Sequence, residues 1–162
     1  DDDCGSGSAT YFYRDGPAQY WYVHTSANKA YNNCHVWTTT VTSEVVNSGY
    51  WYLPVSDSYT GDYRVWAYIA CEKTSNHFGA RDARYHRYRH GTTGGITETY
   101  HLNQKSTVDN CTTDSVQKNI TALGDGSGYD HFAKGGYMRL VDRSFYCCEN
   151  ISWDMIDYSV RH

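Results

Sequence analysis

Residues 61–101, GDYRVWAYIACEKTSNHFGARDARYHRYRHGTTGGITETYH, constrain the fold more than any other stretch of the chain. Tyr63, Val65, Ala67 and Ile69 alternate with Arg64, Trp66 and Tyr68. That period of two belongs to a β-strand with two distinct faces. Residues 81–90 read as a second strand, GTTGG at 91–95 as a turn, and residues 96–101 as a third strand. The middle strand is studded with Arg, His and Tyr. One of its faces is expected to be a contact surface, for a sugar or for another copy of the chain.

The rest of the chain continues the pattern. Short β-branched and aromatic runs fall at residues 10–14, 20–24, 34–46, 50–55, 115–123, 136–142 and 153–161, separated by Gly, Asn, Asp and Ser clusters. This predicts about eight to ten strands with turn signals every 8–12 residues and no convincing helix, the pattern of an antiparallel β-sandwich. At 162 residues one domain with a sizeable core is expected. Residues 1–14 read as an acidic, Gly/Ser-rich arm carrying a short strand, and residues 15–162 as the sandwich.

Seventeen tyrosines are far more than average usage. Tyr couples a large apolar ring to a polar tip and suits half-buried strands and recognition surfaces. The formal net charge of −4 argues against a general nucleic-acid binder. No apolar run is long enough to span a membrane.

Six cysteines, Cys4, Cys34, Cys71, Cys111, Cys147 and Cys148, include no Cys-x-x-Cys pair. An even count in a Tyr/Thr/Ser-rich chain points to disulfides and an oxidising compartment. If Cys147 and Cys148 lie in a strand they face opposite sides, and each is expected to bond a different partner. Asn-x-Ser/Thr sequons place candidate glycans on Asn110, Asn119 and Asn150. The chain starts at Asp1 without a leader, so a secreted, processed form is expected.

Candidate catalytic groups are sparse. His86 and His90 share a strand face but sit about 13 Å apart, at about 3.3 Å per residue, too far for one metal ion. Glu98, Asp142, Asp154 and Asp157 offer carboxylates without a motif to pair them. Residues 124–128, GDGSG, read as a turn rather than a phosphate loop, because no helix follows to bind an anion. Asp125 and Asp130 are the candidates for a structural Ca²⁺ site, to which hard oxygen ligands would suit. No other cofactor is expected, and no enzyme.

Four segments resemble the golvesin C-terminal-like family, also known as the xanthan-lyase carbohydrate-binding-module-like domain. GDYRVWAYI at 61–69 is similar to its G-x-Y-x-V-x-A strand. DARYHRYRHG at 82–91 looks like its N-A-x-Y-x-V-x-H strand. Residues 97–104 resemble T-x-T-V-x-x-x-Q, and GGYMRLVD at 135–142 resembles G-x-V-x-L-x-D, with residues 157–161 where D-A-V-R-F closes the domain. The resemblance implies a galactose-binding-like jelly roll and a carbohydrate ligand. The six cysteines, the Arg-rich strands and the 1–14 arm depart from it.

Two functions follow. The leading expectation is a secreted structural glycoprotein that self-assembles into a filament, with the strand at 10–14 added to a neighbour's sheet edge. The alternative is a carbohydrate-binding module, whose arginines at 84, 87 and 89 would favour acidic polysaccharides. Under either, Tyr11, Tyr13, Trp51, Trp66, Arg84, His86, Arg87, Tyr88 and Arg89 are the expected contact residues.

Overall fold

The computed structural model describes residues 12–24, 35–53, 61–70, 79–89, 98–109, 119–123, 130–132 and 135–160. In chain order these form β1 (Phe12–Asp15), a single 3₁₀ turn (Ala18–Tyr20), β2 (Tyr22–His24), β3 (His35–Thr39), β4 (Ser48–Tyr52), β5 (Gly61–Ile69), β6 (Ala83–Tyr88), β7 (Glu98–Leu102) and α1 (Gln104–Asp109). β8 (Asn119–Ala122), β9 (Asp130–Phe132), β10 (Tyr137–Val141), β11 (Asn150–Trp153) and β12 (Met155–Val160) complete them. The chain is an antiparallel β-sandwich, as the alternating runs predict.

One layer is a five-stranded sheet in the order β1-β4-β10-β6-β7. The other is made of β11-β3-β2 and β12-β5-β8, with β9 beside the start of β5. β11 and β12 follow one another directly, broken at Asp154, so one stretch of chain serves both parts. The apolar face read in β5 is buried: Tyr63, Val65, Ala67 and Ile69 join one core with Trp51, Tyr85, Met138, Leu140 and Trp153.

Two contacts fasten the layers. Trp153 is wholly buried, and its Nε1 donates to Leu140 O at 3.0 Å. It lies so close to β4 that a Cβ on Gly49 would stand 2.5 Å from its ring. Only glycine fits there, because the obstacle is a buried ring with no room to yield. Tyr158 reaches across from β12. Its hydroxyl donates to Trp51 O at 2.6 Å and accepts from Met138 N at 3.1 Å, bridging β4 and β10.

Three expectations change. The first concerns Cys147 and Cys148, which bond each other. They sit in a turn rather than a strand, with Cys148 at φ 66°, so opposite-face alternation does not apply. Thr40 holds this turn: its O accepts from Cys148 N, and its Oγ1 donates to Tyr146 O and accepts from Glu149 N. The second is α1, a helix where none was expected. Asn103 Oδ1 accepts the Ser106 backbone N–H at 2.9 Å, the bond of a helix N-cap. The third is β1, which pairs with β4 of its own chain, Phe12 opposite Trp51. Phe12 is buried against the Trp51 ring at 5.0 Å, so residues 12–14, assigned to the arm, belong to the sandwich.

Cys4, Cys34, Cys71, Cys111, Asn110, Tyr11, His90 and Asp125 lie outside the described residues. Asn119 and Asp130 fall in β8 and β9, where their backbone alone is described. Asn150 opens β11 opposite Thr39.

Candidate functional site

The five-stranded sheet has one face in the core and one turned outward. Strand alternation and register decide what the outer face holds. Opposite residues line up in rows running across the strands. Asp15, Ser48, Val141, Arg84 and His101 form the first row. Tyr13, Tyr50, Arg139, His86 and Thr99 form the second. Tyr52, Tyr137 and Tyr88 form the third. Neighbouring members of a row are about 4.8 Å apart, the strand spacing.

The third row is a tyrosine platform. Tyr88 stacks on Tyr137 with centroids 4.5 Å apart, and Tyr52 leans on Tyr137 at 4.9 Å. Tyr13, 58% exposed, meets Tyr52 edge-on at 5.5 Å, and Tyr50 meets Tyr137 at 5.7 Å. Partial burial, then the neighbouring phenols, push the Tyr52 and Tyr137 hydroxyls above their usual range. Both therefore stay protonated and can donate as well as accept hydrogen bonds.

Beside the platform lies a polar centre. Arg139 Nη2 donates to Ser48 Oγ at 3.3 Å, and its guanidinium sits over the Tyr50 ring at 5.3 Å. Tyr50 OH donates to Asp15 Oδ2 at 3.3 Å. His86 Nδ1 contacts Thr99 Oγ1 at 2.8 Å. Burial, then the charges of Arg139, Arg84 and His101, lower the His86 pKa to about 4, so the ring is neutral near pH 7.

A loop walls the first row. Asp82 accepts from Arg84 Nε at 2.9 Å, from Phe145 N at 2.9 Å and from the His101 ring. Burial raises the Asp82 pKa most, but the hydrogen bonds from His101, Phe145 and Arg84 together outweigh it and hold the carboxyl below its ordinary value. Phe145, 73% exposed, thus stands at the rim of the face. Arg81 lies over the Tyr146 ring at 3.7 Å and pairs with Glu149 at 2.7 Å, fixing the same loop.

The expected contact residues divide. Tyr13, Arg84, His86 and Tyr88 come together on this face, and Arg89 is exposed just past the end of β6. Trp51 does not join them: 2% exposed, it is core. Arg87 is also turned inward, 4% exposed, where it pairs with Glu98 at 2.8 Å. Arg84 and Arg87 are three apart in a strand, and that odd spacing sends them to opposite faces. Trp66 sits on the outer face of the other layer, where Arg64 lies over its ring at 5.8 Å. The sequence reading missed Tyr137 and Arg139. The aromatic–x–Arg alternation of GYMRLV shows which face they share, but not that β10 lies between β4 and β6.

Of the carboxylates singled out in sequence, Asp142 and Glu98 are engaged elsewhere, and the backbone alone of Asp157 is described. Asp142 accepts from Val46 N, Asn47 N and Asn47 Nδ2, and burial raises its pKa. Glu98 holds Arg87 and accepts from Tyr100 OH. Among the described residues no group of three His, Cys, Asp or Glu side chains could hold a metal ion, and no helix is long and apolar enough to cross a membrane.

The fold is shared with TmCBM61, solved in complex with β-1,4-galactotriose. The two align at 12% identity over 96% of this chain and 92% of that chain, with a TM-score of 0.50. A cleaved adhesin domain of Lys-gingipain from Porphyromonas gingivalis aligns at 14% identity over 98% of this chain and 96% of that chain, with a TM-score of 0.49. No family model matches the chain, and no curated protein matches it. The likeness to TmCBM61 is one of fold, a β-sandwich, and no family match backs the golvesin resemblance.

Proposed function

We propose that the chain is a non-catalytic carbohydrate-binding module that takes an extracellular saccharide on the outer face of its five-stranded sheet. The observation that carries this reading is the row Tyr52–Tyr137–Tyr88 with Tyr13 beside it. These rings lie side by side, tipped with hydroxyls, next to a polar centre of Arg139, His86 and Thr99. Sugars pair apolar C–H faces with many hydroxyls, and the platform pairs ring surface with hydrogen-bonding groups in the same way. The β-sandwich of TmCBM61, which binds β-1,4-galactotriose, supports the reading by showing that such a fold can carry a saccharide. A disulfide at Cys147–Cys148 suits an oxidising, extracellular setting. Filament assembly through a donated strand loses its motivation, since β1 completes its own sheet.

A glycan array that includes β-1,4-galactotriose, followed by calorimetry on its hits, tests the proposal. Replacing Tyr137 or Tyr52 by Ala should weaken binding about fivefold each, from the loss of roughly 1 kcal/mol of ring contact. Unchanged affinity in the double variant, or no saccharide bound at millimolar concentration, would sink it.

A further inference from the structure

Three arginines on and around β6 were candidates for recognising acid groups, and the structure removes two of them from that task. Arg87 is inside, on Glu98. Arg84 is outside but already paired with Asp82. The outer face instead presents Arg139, from β10, a strand expected in sequence but not as a source of contact residues. Among the described residues, no carboxylate lies within ion-pair distance of it. Its Nε is buried with no partner, and its Nη2 has the Ser48 hydroxyl, a neutral acceptor.

The groups around it are spoken for. From β1, Asp15 takes the Tyr50 hydroxyl; just ahead of β6, Asp82 takes Arg84, His101 and Phe145 N. From β4, the Tyr50 ring packs against the guanidinium. From β6 and β7, His86 faces it, resting on Thr99 through Nδ1 and leaving Nε2 for a ligand. A guanidinium held at the middle of a half-buried sheet face without a counter-ion retains a demand for one.

We propose that Arg139, between Tyr50 and His86, seats an anionic substituent, so that the saccharide taken by this face is an acidic one bearing a carboxylate or a sulfate. This rests on the carbohydrate reading above and deepens it. The tyrosine row would hold the sugar ring next to the seat, one strand row away.

Calorimetry with matched neutral, uronate and sulfated oligosaccharides tests it, on wild type, Arg139→Gln and Arg139→Lys. The acidic ligands should bind about 10- to 100-fold more tightly than the neutral one, the effect of a hydrogen-bonded charge. Arg139→Gln should erase that preference, and Arg139→Lys should keep part of it. The uronate and sulfate arms identify which acid is preferred. Equal binding of neutral and acidic ligands in wild type overturns the anion seat but leaves the carbohydrate reading standing. No binding of any saccharide overturns both. If Arg139→Gln does not fold, the wild-type His86 ring decides by NMR. An anion seated beside it must raise its pKa from about 4, and an unmoved pKa with acidic ligand bound overturns the seat.

Discussion

The two faces of the five-stranded sheet are built from the same strands and reach opposite ends. The inner face mixes Phe12, Trp51, Tyr85, Met138 and Leu140, unlike shapes that close on Trp153. Its arginine, Arg87, has a carboxylate at 2.8 Å. The outer face repeats one residue type, Tyr, and its central arginine has a hydroxyl where Arg87 has an acid. A core must match volume and balance charge within the chain. The outer face is ordered by ring contacts and hydrogen bonds but leaves Arg139 without an acid among the described residues, and the proposed saccharide site rests on that contrast.

Substitutions on each side should separate the faces. Trp153→Ala removes the ring that Gly49 and Leu140 are fitted to, and should cost about 3–5 kcal/mol in denaturant unfolding. A loss below about 1 kcal/mol would mean that the inner face is not the stabilising one. His86 gives an intermediate effect that depends on pH. Above pH 6.5 its ring is neutral in both the folded and the unfolded chain. Between 6.5 and about 4 only the unfolded chain takes up the proton, so stability falls as pH falls through that window. Allowing for solvent screening, the fall attributable to His86 is about 1 kcal/mol. His86→Gln should flatten that part of the stability–pH curve, and an identical curve would refute the neutral ring. The smallest effect is expected at Tyr137→Ala, which should cost under about 1 kcal/mol of fold stability. If it proved as costly as Trp153→Ala, the tyrosine row would be structural after all.

The sandwich was legible because its signal is local. Tyr63 to Ile69 alternates within one strand, and burial follows that alternation residue by residue. The site was only half legible, for a reason seen in RYHRYR. Both sides of that strand carry Arg and Tyr or His, so periodicity divides the residues into two sets without saying which is inside. The core decides it: Ala83 and Tyr85 are buried there, and Arg87, two residues on, shares their side. Tyr137 and Arg139 acquire their meaning from β4 and β6, which flank them in space and are far away in sequence. α1 escaped because six residues are too few for a helical period, leaving Asn103 as its only local mark. The pair at 147–148 was misread by applying strand geometry to a turn.

Gln104 shows how much one side chain can settle. Its Nε2 donates to Ser152 O and to Tyr85 OH, and its Oε1 accepts from Ser152 N. The amide thus imitates one residue of a neighbouring strand along β11, where the second layer divides. It also joins α1 to both layers at once. The helix therefore shares the protection of the core: peeling it away would strip hydrogen bonds from β11 and β6 together, so this short segment should open with the whole domain rather than fray alone.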